Sequence, residues 1–157
     1  MLRESVEEAV YLYSDSILRV AYSYVKNTHD AEDIVQEVFM ALLKCEKMFE
    51  SQEHMKAWLM RVAINKSKNH LKSSWTSKRV EMPDAIPILE ECETELLNAV
   101  FCLEEKYRIP IYLFYYEGYS IKEISKIMGR PVPTIGSRLR RGREKLKSYL
   151  SCDDHKR

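Results

Sequence analysis

Apolar residues recur at threes and fours along most of this chain, the spacing that lays a stripe along one face of an α-helix. Val6, Val10, Tyr13, Ile17, Val20, Ala21 and Tyr24 form the first such stripe, and Lys26-Asn27-Thr28-His29 breaks it. A second helix starts at Asp30, which reads as its N-cap. Ala31, Ile34, Val35, Val38, Phe39 and Leu42 supply the buried stripe of that helix, leaving Glu32, Asp33, Gln36 and Glu37 outside or on its shoulder. Acids in a first turn also suit the helix dipole. The pattern then predicts a loop over 49–56 and a third helix over 57–72, in which Trp58 joins Leu59, Val62 and Ala63 in the core rather than standing out to stack on a ligand.

In the second half, Leu97, Val100, Phe101 and Leu103, then Ile109, Ile111, Tyr112, Leu113 and Phe114, are the expected core, with Pro110 near a helix start. The aromatic cluster of Tyr112, Phe114, Tyr115, Tyr116 and Tyr119 reads as packing rather than as a ligand pocket. Ser120 follows as an N-cap with Glu123 as its capping-box partner, and Ile121, Ile124, Ile127 and Met128 form the stripe behind it. Gly129 suits the left-handed residue that ends a helix. Arg130-Pro131-Val132-Pro133 cannot continue one, and Pro133 fits the first turn of the next.

That next helix has two faces. Ile135, Leu139, Gly142 and Leu146 fall on one, and Thr134, Ser137, Arg138 and Arg141 on the other. Arg138, Arg140, Arg141, Arg143, Lys145 and Lys147 against Glu144 leave five net positive charges. A helix, a tight turn and a basic helix that opens with small hydroxyls match a helix-turn-helix in the major groove: the first residues approach base edges and the later cations hold phosphates.

Net charge is only +1 over 157 residues, but sign alternates in blocks. Acids exceed bases by eleven to five over 1–55, seven bases and no acid fill 56–79, and eight acids and no base fill 81–105. Two basic surfaces separated by an acidic stretch are implied. With Pro83 and Pro87 and no clear periodicity, 73–88 reads as a flexible linker between two small helical domains, 1–72 and 89–152, in an all-α protein.

Cys45, Cys92, Cys102 and Cys152 have no CxxC spacing and no histidine placed to complete a zinc pattern, so they read as free thiols in a reducing cytoplasm. The acidic amphipathic start lacks the form of a signal peptide, and no run approaches the apolar length of a membrane span. His29, His54, His70 and His155 are scattered, without an acid-base pair or ligand cluster. No catalytic residue, metal or cofactor is expected.

DAEDIVQEVFMALLK followed by KAWLMRVAINKSKNHLK resembles domain two of bacterial extracytoplasmic-function (group 4) sigma factors, and GYSIKEISKIMG with PTIGSRLRRGREKLK resembles their domain four. The resemblance covers nearly the whole chain in the right order. It implies that Asp30, Glu32, Asp33, Gln36 and Glu37 bind core RNA polymerase. Phe49, His54, Lys56, Arg61, Asn65, Lys66 and Asn69 would then hold the opened minus-ten strand, whose phosphates need a cationic track and whose bases need aromatic faces or amides. Arg130, Thr134, Ser137, Arg138 and Arg141 would read the minus-35 duplex. Partners are core polymerase, promoter DNA and an anti-sigma protein, the last because the short chain leaves no room for a sensory domain.

Three positions depart from the family pattern. Gly136 and Gly142 stand where lysine and alanine are frequent, each costing a helix about 1 kcal/mol relative to alanine, and Asn69 stands where aspartate is common. The competing class is a dimeric helix-turn-helix regulator that binds a palindrome without polymerase; it shares the C-terminal motif but gives no use to the N-terminal one.

Overall fold

A computed structural model describes residues 3–73 and 91–154, with side chains over 6–73 and 96–150. Seven helices and no strand form among the described residues: α1 (Arg3–Val25), α2 (Thr28–Lys44), α3 (Gln52–Ser73), α4 (Glu91–Phe101), α5 (Glu105–Tyr115), α6 (Ile121–Met128) and α7 (Val132–Asp154). The chain divides into two compact units, Met1–Ile86 and Pro87–Arg157. The linker expected over 73–88, the 81–95 part of the acidic run over 81–105, and Cys92, Cys152 and His155 lie, Ser73 apart, outside the described side chains. Ser73 itself ends α3.

In the first unit α1, α2 and α3 pack mutually. Ile17, Val20 and Ala21 of α1 meet a core of Ile34, Val38 and Leu42 from α2 and Leu59, Met60 and Ile64 from α3, each 1% exposed or less. Val10 departs from the expected stripe at 39% exposed, while its neighbour Ala9 is buried, so the buried face of α1 runs through Val6 and Ala9 at its start. Between α1 and α2, Lys26 takes a left-handed conformation (φ 55°) and its N–H bonds the carbonyl of Tyr22 at 2.8 Å, closing the end of α1.

Two helix starts differ from the sequence expectation. Asn27, not Asp30, caps α2: its side-chain oxygen accepts from the Asp30 N–H at 3.1 Å, and its amide nitrogen donates to Asp30 Oδ2 at 2.7 Å. An asparagine in a run of polar residues looks like a break, but it is a good N-cap, and the acid three residues on accepts from its side-chain amide. The third helix also begins early, at Gln52 rather than at 57, because the Ser51 hydroxyl accepts from the His54 N–H at 3.1 Å. His54 and Lys56 are therefore helical.

The second unit packs α4, α5 and α6 around α7. Leu97, Ile109, Ile111, Tyr112, Leu113, Ile124, Ile135 and Leu139 are buried at its centre. Pro110 is the sixth residue of α5 rather than a starter. Its missing N–H would have bonded the carbonyl of Lys106 in the first turn, and the buried ring repays the loss by filling core space. Arg108, 5% exposed, directs Nη1 to the carbonyl of Leu103 at 3.2 Å, just past the end of α4. Of the aromatic cluster, Tyr112 stacks on Tyr116 at 5.6 Å and its hydroxyl donates to Glu117 Oε1 at 2.6 Å, whereas Tyr115 departs from the expected packing and is 51% exposed.

Candidate nucleic-acid interface

Local chemistry sets the angle between α6 and α7. The Ser120 hydroxyl accepts from the Glu123 N–H at 3.2 Å and the Glu123 carboxylate accepts from the Ser120 N–H at 3.3 Å, a complete capping box. Gly129 ends α6 in the left-handed conformation (φ 65°, ψ 37°), where a side chain would be strained. Arg130 is then held by Ser125 on both sides. Its N–H donates to the Ser125 carbonyl at 3.1 Å, and the Ser125 hydroxyl donates back to the Arg130 carbonyl at 2.5 Å. The backbone of Arg130 is thus fixed while its side chain is exposed.

Ile135, Leu139 and Gly142 bury one face of α7. On the opposite face Thr134, Ser137 and Arg138 are half-buried and Arg141 is exposed, and all four line one open groove of about 400 Å³. Lys106 and Tyr107, at the start of α5, form its other wall. Neither was singled out from the sequence, because Lys106 follows the acidic run and Tyr107 has the spacing of a core residue. The interruption of that run by a lysine is the signal that was available. The Tyr107 ring is buried, with Lys106 Nζ 5.0 Å and Lys145 Nζ 5.1 Å from its centroid. Burial pushes the Tyr107 phenol up, but hydrogen bonding and charge from Arg141 and Lys106 outweigh it and hold its pKa below the ordinary value.

Other cations of this unit have partners. Lys145 Nζ lies 3.4 Å from Glu104 Oε1, Lys106 Nζ lies 3.7 Å from Glu104 Oε2, and Arg143 Nη1 donates to the Tyr115 hydroxyl at 3.1 Å. These pairs are exposed, so each is weak and gives way readily to a stronger anion.

In the first unit, Glu32, Asp33, Gln36 and Glu37 are exposed on α2, and Asp30 is half-buried. Asp30 Oδ2 faces His70 Nε2 of α3 at 3.3 Å, and Glu37 Oε2 lies 4.0 Å from Lys66 Nζ. His70, overlooked in the sequence for want of a visible partner, therefore ties α3 to the acidic helix. Asp33 Oδ2 lies 3.6 Å from His29 Nδ1. A hydrogen bond to its own backbone and the Asp33 charge hold the His29 pKa above its ordinary 6.5.

The Phe49 ring centroid lies 5.5 Å from both His54 and Trp58, edge-on to each. Trp58 is half-buried, as are Phe49 and His54, so the three form one aromatic cluster at the start of α3 rather than two loop residues and a core residue. Lys56 is half-buried beside it. Arg61, Asn65 and Asn69 follow at intervals of four and are exposed, sharing one face of α3. Lys66 is turned toward Glu37 instead.

Among the described residues no three His, Cys, Asp or Glu side chains gather to hold a metal ion, and no helix is long and apolar enough to cross a membrane. Cys45 and Cys102 are free thiols.

Comparison with known proteins matches residues 10–76 to sigma-70 region 2 and residues 93–146 to sigma-70 region 4. The chain is 28% identical to the ECF RNA polymerase sigma factor SigW of Bacillus subtilis, over 94% of this chain and 90% of that protein. It is 27% identical to the RNA polymerase sigma-H factor of Pseudomonas aeruginosa, over 90% of this chain and 83% of that one. The fold is similar to that of the sigma factor RpoE in complex with the anti-sigma factor NepR from Bartonella quintana, with a TM-score of 0.74 at 23% identity over 96% of this chain and 99% of that one. CnrH in complex with the cytosolic domain of CnrY gives a TM-score of 0.71 at 22% identity, over 97% and 91% of the two chains.

Proposed function

The chain belongs to the sigma-70 family of RNA polymerase sigma factors, of the extracytoplasmic-function type, and from that membership we propose how its surfaces divide the work of promoter-specific initiation. It is a group 4 factor of the cytoplasm that catalyses no reaction itself. Residues 1–72 form domain two, 73–88 the linker and 89–152 domain four.

In domain two, Asp30, Glu32, Asp33, Gln36 and Glu37 meet arginines of core polymerase through charge-assisted hydrogen bonds. Because Asp30, Asp33 and Glu37 already face His70, His29 and Lys66, Glu32 and Gln36 make the first contacts. The cluster of Phe49 and His54 receives an unstacked base of the minus-ten element, with Trp58 supporting it from behind. Arg61, Asn65 and Asn69 follow the opened strand along α3, and Lys56 and Lys66 add phosphate contacts on either side. In domain four, Thr134 and Ser137 approach base edges of the minus-35 element while Arg130, Arg138 and Arg141 hold its backbone. An anti-sigma protein covers these faces when the factor is idle; the structurally similar RpoE is itself found in complex with the anti-sigma factor NepR.

The observation that carries this reading is the capped helix-turn-helix whose exposed face gathers Thr134, Ser137, Arg138 and Arg141 into one cationic groove. Abortive transcription from a library of promoter fragments, using purified core polymerase with and without the protein, tests it. Protein-dependent initiation from a shared two-part motif is the expected result. Absence of initiation together with palindrome binding by the protein alone would replace it with the dimeric regulator.

A further inference from the structure

The groove beside α7 has a wall that the helix-turn-helix does not supply. Lys106 and Tyr107 come from the start of α5, and they face Thr134, Ser137, Arg138 and Arg141 across a space of about 400 Å³. These six side chains offer three cations and three hydroxyls, with no carboxylate among them. Such a donor set suits a singly charged phosphodiester, which accepts several hydrogen bonds and gives none.

We propose that this groove seats one backbone phosphate of the duplex at the edge of the bases read by α7, with Lys106 and the Tyr107 hydroxyl as its donors from α5 and Arg141 as its donor from α7. The proposal rests on α7 being the duplex-reading helix and adds two positioning residues to it.

Geometry separates the two jobs. Thr134 and Ser137 belong to the opening turns of α7, where base edges come within reach. Tyr107 stands further along, beside Gly142, its Cβ 3.5 Å from where a Cβ at that position would lie. The ring of Tyr107 is fixed by burial and by the ammonium groups of Lys106 and Lys145, so its hydroxyl presents a donor that costs little entropy to order. The charges of Arg141 and Lys106 that lower the phenol pKa also make it a stronger donor. A phosphate gripped from two helices fixes the orientation of α7 in the groove of the DNA, which a contact from α7 alone leaves free to pivot.

Glu104 stands at the margin, pairing with both Lys106 and Lys145 through exposed contacts. A phosphate entering the groove displaces it from Lys106 without a large penalty.

The test uses holoenzyme assembled from the full chain and core polymerase, binding promoter duplex over a range of salt. Lys106→Gln is expected to weaken binding equally on all active promoters and to lower the salt slope by about 1. Tyr107→Phe, which keeps the ring and its packing, is expected to weaken binding about three- to tenfold. A single uncharged methylphosphonate, moved through the minus-35 backbone, should at one position cost the unmodified protein binding and cost the Lys106→Gln/Tyr107→Phe double variant nothing further. Additive losses at every position would overturn the phosphate seat. If Arg141→Ala weakens binding while the α5 variants bind with unchanged affinity and salt slope, the seat alone falls; if Arg141→Ala is also without effect, the reading of α7 falls with it.

Discussion

Gly142 of α7 lies directly against Ile111 of α5: a Cβ at position 142 would stand 2.8 Å from Ile111 Cγ1 and 3.1 Å from its Cδ1. Ile111 is 1% exposed and cannot step aside. The glycine therefore lets two helices approach more closely than any side chain would allow. Gly136, on the same helix, has nothing within 4 Å of where its Cβ would be. The two glycines should respond in opposite directions. Gly142→Ala is expected to lose about 1–3 kcal/mol through overpacking, more than the helix propensity it gains, whereas Gly136→Ala should gain up to about 1 kcal/mol. Thermal unfolding followed by circular dichroism reads both, and a rise in Tm for Gly142→Ala would contradict the packing argument.

Asn27 and Asp30 share the start of α2 unequally. Asn27 holds the Asp30 N–H and also donates to the Asp30 carboxylate, while Asp30 faces His70 across the helix pair. Asn27→Ala should cost about 1 kcal/mol, the usual loss for a removed N-cap. Asp30→Asn keeps an acceptor for Asn27 and should cost less. If chemical denaturation ranks them the other way, Asp30 rather than Asn27 is the residue that holds this helix start.

Arg108 places a guanidinium under the end of α4. With Nη1 at 3.2 Å from the Leu103 carbonyl and 3.5 Å from the Phe101 carbonyl, and the side chain buried, it supplies a donor to the carbonyls at this helix end. Arg108→Met retains much of the volume but removes the donor, and is expected to destabilise the second unit by about 1–3 kcal/mol. Urea denaturation measures this; an unchanged midpoint would mean that water reaches the carbonyl.

His29 is tied to Asp33 on the exposed face of α2. Its pKa is raised in the folded protein, so the attraction is fully present below 6.5 and is lost as pH rises through the raised folded value. Asp33→Asn should bring the NMR titration midpoint of His29 down toward 6.5. A midpoint unmoved by that substitution would leave the backbone hydrogen bond, with the charges of Asp30 and Glu32, as the cause. If Asp33 does meet core polymerase, a neutral His29 leaves its carboxylate more available at higher pH.

Most of the helical frame was legible because it rests on signals that act locally. The Ser120–Glu123 box, the left-handed Gly129 and the start of α7 around Pro133 depend on residues within a turn of each other, and all three are present. What was not legible depends on distance. Gly142 reads as a weak helix residue until Ile111 is brought against it, and nothing near Tyr107 in the sequence tells that its hydroxyl meets Arg141 of α7. The same holds for His70, whose partner Asp30 is forty residues away in sequence. The early start of α3 was missed for another reason: FESQEHMK lacks an apolar stripe, and only the Ser51 cap shows where the helix begins.

Gly136 also bears on recognition. It follows Thr134 and precedes Ser137 at the opening of α7, it is half-buried, and the space beyond its Cα is open. A lysine there would project from the exposed side of the helix with room to reach a phosphate. Gly136→Lys is therefore expected to tighten holoenzyme binding to promoter duplex and to steepen its salt dependence by about 1 in the slope, with no change in which bases are preferred, since a phosphate carries no sequence. Binding measured over a salt series, alongside selection from a randomised minus-35 library, separates these effects. A changed base preference would mean that position 136 faces base edges rather than the backbone, and would rotate the assignment of Thr134 and Ser137 accordingly.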